Sequence, residues 1–540
     1  MKKQVKFLLV LIVVLLMVTI VSCKKGSQEQ VLPSEGKVMD NNDSENAYSK
    51  RIKFSASSIN LPEQVSFMDD AVYKAFDDKF NFEYDLFNIT WETWSERDRL
   101  WIISGDMPDM LFWDFNLKDY NSFSNQGLIK ALPDDLETKY PNLAKEMDKT
   151  GIANYLKNKN EDNKLYMIPN VIYLNPPTKT TDIIIDPKVV YYRKDWAKTV
   201  GIEVGDKITI EELAKLATAF IEQDPGKNGE GKTIGISAPP SNIDSLFVRS
   251  FNTYYDTFHK AASNSYIWGG TEDSTLQGIK ELKKYYESGI IDSDYYAYKG
   301  KEHYEKFDNG IAGIFFDGAS AANVNERLKA FGTANPDLNA SDAIGLVTVV
   351  GPDGKYHGAP DILNYWSGLL FNPDISDEKM DRILSILDYT CTEEGQRLIN
   401  CGIEGKDYVL KDGNLEITRD KDKNGNFLPI ADLYPSADFF STKGVLPDDW
   451  SARDPSLPSE AREEAIKMFQ VKELNMDLVE PNYEINLFDG EKKLSFPLRI
   501  DDIITNMVLS DGNLDEEWNS FITENKSKID EVVDEINSKI

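Results

Sequence analysis

The residues Gly226-Lys227-Asn228-Gly229-Glu230-Gly231-Lys232-Thr233 have the spacing G-x-x-x-x-G-K-T, which can cradle a phosphate. That chemistry needs a strand before the loop and a helix after it, so that amides and helix dipole face the anion. Here helical residues end near Gln223 ahead of the loop, and Thr233-Ile234-Gly235-Ile236-Ser237 reads as the strand that follows. The order is reversed, and no nucleotide is expected. Asp420, Asp422 and Asn424 place oxygens at alternating positions before Gly425, a spacing that can wrap calcium. Ala431 stands where a calcium loop needs its closing Glu, so the segment reads better as a hairpin turn between Leu415-Glu416-Ile417 and Phe427-Leu428. Cys391 and Cys401 flank a helical stretch that would hold them about 15 Å apart, so two inert thiols are expected rather than a disulfide. The three histidines, His259, His303 and His357, have no metal-ligand or triad spacing. No G-x-S-x-G and no H-E-x-x-H occurs. With 91 acidic residues, a carboxylate pair can always be chosen afterwards and argues for nothing.

A different chemistry is written at Trp113-Asp114. Sugars present apolar C–H faces and rings of hydroxyls, so their sites need aromatic platforms beside carboxylates or amides. This pair follows the apolar run Met110-Leu111-Phe112, which puts it at the end of a strand, where clefts of α/β proteins open.

The elements that must position such residues alternate along the chain. Thr209-Ile210-Glu211-Glu212 is a capping box that opens a helix through Leu213, Leu216, Ala217 and Phe220. Ser376 and Thr392 precede two further helices, the second stopping near Gly402, and Ile529, Val532, Val533, Ile536 and Ile540 describe a docked C-terminal helix. Strands are expected at Ile183–Ile185, Val189–Tyr192, Ile311–Phe316 and Ile344–Val350. The pattern is that of an α/β protein without internal repeats. Its 540 residues are enough for two sizeable cores. A net charge of −31 repels polyanions, so no nucleic acid partner is expected.

The first residues address the chain outward. Lys2, Lys3 and Lys6 precede an apolar run from Phe7 to Val21, too short for the roughly 20 residues of a membrane-spanning helix. It ends in Ile20-Val21-Ser22-Cys23, which looks like a bacterial lipobox. The expectation is a signal peptide over 1–22, lipidation at Cys23 and a flexible polar tether over 23–50, holding the protein on the extracytoplasmic face of the cell membrane.

Several stretches resemble family 1 extracellular solute-binding proteins, the carbohydrate receptors of ABC importers. These are Ser104-Gly105-Asp106-Met107-Pro108-Asp109, Gly127 to Leu132, Tyr166-Met167-Ile168-Pro169, Tyr191-Tyr192-Arg193-Lys194-Asp195-Trp196, Asn309 to Gly313 and Gly402 to Tyr408. They occur in the family's order from about Lys50 onward, and the last resembles the alginate-binding and lipopolysaccharide-modification lipoprotein-like members. The resemblance implies two α/β lobes joined by a hinge, with ligand in the cleft between them. Matched segments give a first lobe of 51–168 with 361–400 and a second of 169–360 with 401–540.

In the maltose-binding resemblance, Trp113 falls on a sugar-contacting position. The same reasoning adds Tyr365-Trp366, after the return into the first lobe, Asp317, after the strand ending at Phe316, and Trp268, before Gly269-Gly270. The alginate-binding branch carries calcium in the loop that here holds Asp224, Asn228 and Glu230. Gly226 and Lys232-Thr233 replace expected oxygen ligands, so no cofactor is expected and Lys232 should pair with Asp224 in the metal's place. The implied function is capture of a sugar or oligosaccharide, as a monomer, for delivery to ABC permease subunits. The alternative is an exported glycosidase or lyase.

Overall fold

Local chemistry starts the helices where the sequence indicates. The Thr209 hydroxyl accepts the Glu212 amide at 3.2 Å, while the Glu212 carboxylate accepts the Thr209 amide at 2.8 Å, opening the helix Ile210–Gln223. The Ser376 and Thr392 hydroxyls accept the amides of Lys379 and Gly395 to open Asp377–Thr390 and Glu393–Cys401, and Gly402 ends the latter. The C-terminal helix runs Leu514–Lys539 with Ile529, Val532 and Ile536 buried. A computed structural model of the chain describes residues 48–59, 67–90, 93–114, 120–148, 152–159, 163–171, 188–298, 300–358, 365–422, 427–443, 454, 456–476, 482–486, 488 and 490–540. The leader, Cys23, most of the tether and Ile183–Ile185 lie outside these residues. One compact body spans Lys50–Ile540.

The strands of that body are β1 (Ile52–Ile59), β2 (Phe82–Ile89), β3 (Met110–Asp114), β4 (Ile168–Val171), β5 (Lys188–Arg193), β6 (Lys207–Thr209), β7 (Ile234–Ile236), β8 (Phe258–Lys260), β9 (Tyr266–Trp268), β10 (Ala312–Gly318), β11 (Ile344–Val350), β12 (Tyr365–Phe371), β13 (Tyr408–Lys411) and β14 (Asn414–Ile417). Ten of them form two five-stranded sheets, ordered β2-β1-β3-β12-β4 and β6-β11-β5-β10-β7. Each sheet is the centre of one lobe. In the second, successive residues of β5 and β10 feed opposite faces. Val190, Tyr192, Ile314 and Phe316 belong to one core cluster, and Val189, Tyr191 and Phe315 to another. A sheet covered on both faces explains why these strands read as continuous apolar runs.

The lobe boundaries need one correction. The described residues of 401–443, expected in the second lobe, pack with the first. Phe440 stacks on Phe76 with ring centroids 3.9 Å apart, Phe439 meets Tyr84 edge-on, and Asp70 accepts both the Ser436 amide (2.8 Å) and its hydroxyl (2.6 Å). Among the described residues, the chain is back on the second lobe at the helix Ser459–Asn475, whose Met468 joins the cluster under β5 and β10.

The expected hairpin is also redrawn. Leu415-Glu416-Ile417 pairs back onto β13 through Asp412-Gly413, both at positive φ (51° and 79°), a turn geometry open to Asp and Gly. Phe427 instead bridges Lys421.

Candidate functional site

Strand direction fixes where a ligand can sit. In the first sheet β3 is antiparallel to β12, with Ser367 opposite Asp114, and β12 is antiparallel to β4. The carboxyl ends of β3 and β4 therefore lie with the start of β12. In the second sheet β5 is antiparallel to β10 and β11, with Lys188 opposite Gly318. The start of β5 therefore lies with the carboxyl ends of β7, β10 and β11. The chain crosses from β4 to β5 and from β11 to β12, so both passages join these two ends. Loops there can vary without disturbing the sheets, which is why α/β folds bind ligands at such ends.

A cavity of ≈ 670 Å³ occupies this end of the second lobe. Pro239, Pro240 and Ser241 line it from the turn after β7, Tyr296 and Tyr298 from a neighbouring loop, and Arg499, Asp501, Asp502, Thr505 and Asn506 from the helix Ile500–Leu509 and the residue before it. Two other cavities lie at the opposite ends of strands: one beside Tyr192 and Lys194 past β5, another beside Leu132 and Leu165 ahead of β4.

The aromatic part is rigidly backed. Tyr296 is 46% exposed and stands edge-on to buried Tyr295, with centroids 6.2 Å apart. The Tyr298 hydroxyl is 3.1 Å from the Ser237 hydroxyl and donates to Asp292. Asp292 also accepts Lys306 at 2.7 Å, and that ammonium lies 4.9 Å from the Tyr298 ring centre. An exposed ring over a fixed base and a second ring held by its hydroxyl suit the apolar face of a sugar.

The electrostatics of the same region are acidic. Burial, helped by Asp256, raises the Asp501 carboxyl above its usual range against the pull of Arg499. Asp244, fully buried one turn beyond Ser241, is raised well above that range by burial and then by Asp501 and Asp256. Neither Asp244 oxygen has a hydrogen-bond partner among the described residues. Asp256 is ion-paired with Arg249 at 2.6 Å.

The residues expected from the sequence are distributed differently. Trp113, expected as an exposed platform, is 5% exposed and meets Phe123 edge-on, so it packs the first lobe. Trp268 is also a core residue, edge-on to Phe496 at 5.0 Å. Asp317 stands at the carboxyl end of β10, half-buried, and accepts the Tyr304 hydroxyl. The backbones of Asp114, Tyr365 and Trp366 share the crossing end of the first sheet; their side chains are outside the described set. Tyr296, Tyr298 and Asp501-Asp502 were missed. A run such as Tyr295-Tyr296-Ala297-Tyr298 is visible in the sequence, yet nothing there links it to residues two hundred positions later.

The loop after the helix Ile210–Gln223 settles its own chemistry. Asp224 accepts the Thr233 hydroxyl at 2.6 Å and the amides of Asn228 and Gly229 at 3.0 and 2.9 Å. These bonds, the Thr233 hydroxyl first, hold its carboxyl below the usual range. The expected pairing with Lys232 is not made: Lys232 is exposed, and Thr233 is buried in its stead. Calcium needs six to eight oxygens turned inward, whereas this loop turns N–H and O–H donors onto the Asp224 carboxylate. The residues present do not fit the ion. No group of three His, Cys, Asp or Glu able to hold a metal occurs among the described residues. Helix still precedes this loop and strand β7 follows it, so it is no phosphate cradle.

No family model matches the chain. Lipoprotein LipO of Bacillus subtilis is 24% identical over 341 residues, which is 60% of this chain and 62% of that one. The fructooligosaccharide ABC transporter substrate-binding protein FusA of Streptococcus pneumoniae is 26% identical over 237 residues, 41% of each. The chain thus spans less than two thirds of the length of these curated relatives. Among solved structures, FusA in complex with kestose matches with a TM-score of 0.69 at 18% identity, over 91% of this chain and 98% of that one. The alginate-binding protein AlgQ2 without calcium ion matches with 0.64 at 16%, with the same coverage. The resemblance read from the motifs is met by these relatives, and the fold is the two-lobed α/β fold of solute-binding proteins.

Proposed function

We propose that this chain is an extracytoplasmic solute-binding protein that captures an oligosaccharide and delivers it to the permease subunits of an ABC importer. The observation that carries the reading is strand direction: both crossings run between the same ends of the two sheets, and at that end the second lobe opens its tyrosine-lined polar cavity. Two lobes joined at such an end can close over a ligand by hinge motion. FusA and AlgQ2, binding proteins by name, support capture rather than turnover. The lipobox-like Ile20 to Cys23 and a lipoprotein among the relatives support an acylated Cys23 that keeps the protein at the membrane.

The test is incubation of the purified chain with a panel of oligosaccharides, followed by calorimetry and product chromatography. One-to-one saturable binding without new products is expected. Accumulating cleavage products would replace this reading with that of a carbohydrate-active enzyme.

A further inference from the structure

We infer that the cavity between the β7 turn and the helix Ile500–Leu509 selects an uncharged oligosaccharide and rejects uronate chains. The inference rests on the proposed function and narrows it to a substrate class.

A neutral sugar and a uronate have the same ring and differ in one group. Where the neutral sugar carries a hydroxymethyl or hydrogen, the uronate carries a carboxylate. A site for uronates must supply cations, best in the forked geometry of arginine, since an unpaired carboxylate taken from water is costly. A site for neutral sugars must supply acceptors for hydroxyl protons, and a carboxylate can accept from two neighbouring hydroxyls at once.

The charged side chains lining this cavity are Asp501, Asp502 and Arg499. Within electrostatic reach of Asp501 lie Asp244 and Asp256, against the guanidiniums of Arg499, 3.6 Å from Asp502, and of Arg249, already paired with Asp256. Lys306, beneath Tyr298, is matched by Asp292. Acids outnumber bases both in the lining and behind it, and the protein as a whole carries −31. A further carboxylate brought in by the ligand would face Asp501 and Asp502 across the cavity with only Arg499 to offset it. A ring stacked on Tyr296 and donating hydroxyls to Asp501 and Asp502 adds no such charge. The exposed Tyr296 face and the half-buried Asp501 thus ask for the same ligand: apolar on one side, rich in hydroxyl donors on its edge, and without charge.

The experiment titrates the full mature chain, by calorimetry in low salt, with two matched sets of trisaccharides. The neutral set is kestose, maltotriose and xylotriose; the charged set is trigalacturonate and trimannuronate. At least one neutral sugar should bind a hundredfold or more tighter than either uronate. Asp502→Asn, at an exposed position, should weaken the neutral ligand at least tenfold and narrow the gap to the uronates. Tyr296→Ala should weaken both sets alike, and thermal melting of each variant verifies its fold. A uronate that binds as tightly as the best neutral sugar overturns the inference and leaves the proposed function standing. Neutral binding that neither variant changes moves the ligand elsewhere and overturns it too. If neither set binds, the proposed function itself falls.

Discussion

The ammonium of Lys472 lies 4.4 Å from the centre of the Tyr356 ring and 3.3 Å from its hydroxyl. It also donates to the carbonyl of Lys188, which the Tyr356 hydroxyl reaches at 3.4 Å. Lys188 opens β5, Tyr356 follows β11, and Lys472 belongs to the helix that returns the chain from the first lobe. Lys472 is 1% exposed. Three segments that enter, leave and re-enter the second lobe are thus fastened at one buried ammonium.

Lys472→Met keeps most of the apolar stem and removes that fastening. Hydrogen bonds to charged groups contribute about 1.5–3 kcal/mol each, so urea denaturation should show a loss of about 2 kcal/mol. Hydrogen exchange should quicken at the Tyr356 amide, which donates to the Asn475 carbonyl at 2.8 Å. An unchanged midpoint would reduce the role of Lys472 to packing of its stem.

Asp308 gives a pH dependence of known sign. Burial pushes its carboxyl up to about 6, with Arg327, 4.0 Å away, pulling the other way. Unfolded, the group titrates near 3.8. Between these values the folded state holds the extra proton, so this contribution to stability is full below 3.8 and is lost as pH rises through 6. The loss is about 3 kcal/mol. Asp308→Asn should therefore be more stable than the parent at pH 7.5 by roughly 2 kcal/mol, and no more stable near pH 3.5. Melting curves that differ equally at both pH values would contradict this.

The loop at Asp224 should be indifferent to calcium. Adding a chelator should leave the melting temperature unchanged, and Thr233→Val should lower it, because Asp224 loses its nearest donor. A drop on chelation that calcium reverses would put an ion back into the molecule. Comparing Asp224→Asn with Asp420→Asn would then tell which loop holds it.

Trp113→Ala is expected to act through the fold. Removing a buried indole costs roughly 3–5 kcal/mol, and Phe123 would lose its edge-on neighbour. Retained cooperative melting at nearly the parent temperature would show that the ring is not part of the core.

Local signals were readable wherever one side chain decides the outcome. The capping pair Thr209 and Glu212 fixes a helix start by itself, and Val189 to Tyr192 is apolar on both faces because both faces are covered. The site was legible only in kind. Trp113 and Trp268 were sought as platforms because tryptophan binds sugars well, but the same large ring also fills cores well, and here both do so. Tyr296 lies on the cavity through the placement of the helix Ile500–Leu509, which no local pattern encodes. The placement of 401–443 was hidden for a similar reason. Phe439 and Phe440 announce burial, and only the shape left open by Phe76 and Tyr84 says where.

The place of β12 in the first sheet bears on how the protein is made. It sits between β3 and β4, pairing Phe112 with Leu369 and Ile168 with the same residue from the other side. By the time β3 and β4 have been synthesised, the strand that joins them is some two hundred residues away, and Phe440 is farther still. The amino-terminal third of the molecule must therefore wait, with two unsatisfied strand edges, while the whole of β5 to β11 is translated. Unpaired edges of this kind invite association with other chains. The first lobe to be started is finished late, and during that interval its open strand edges are at their most exposed.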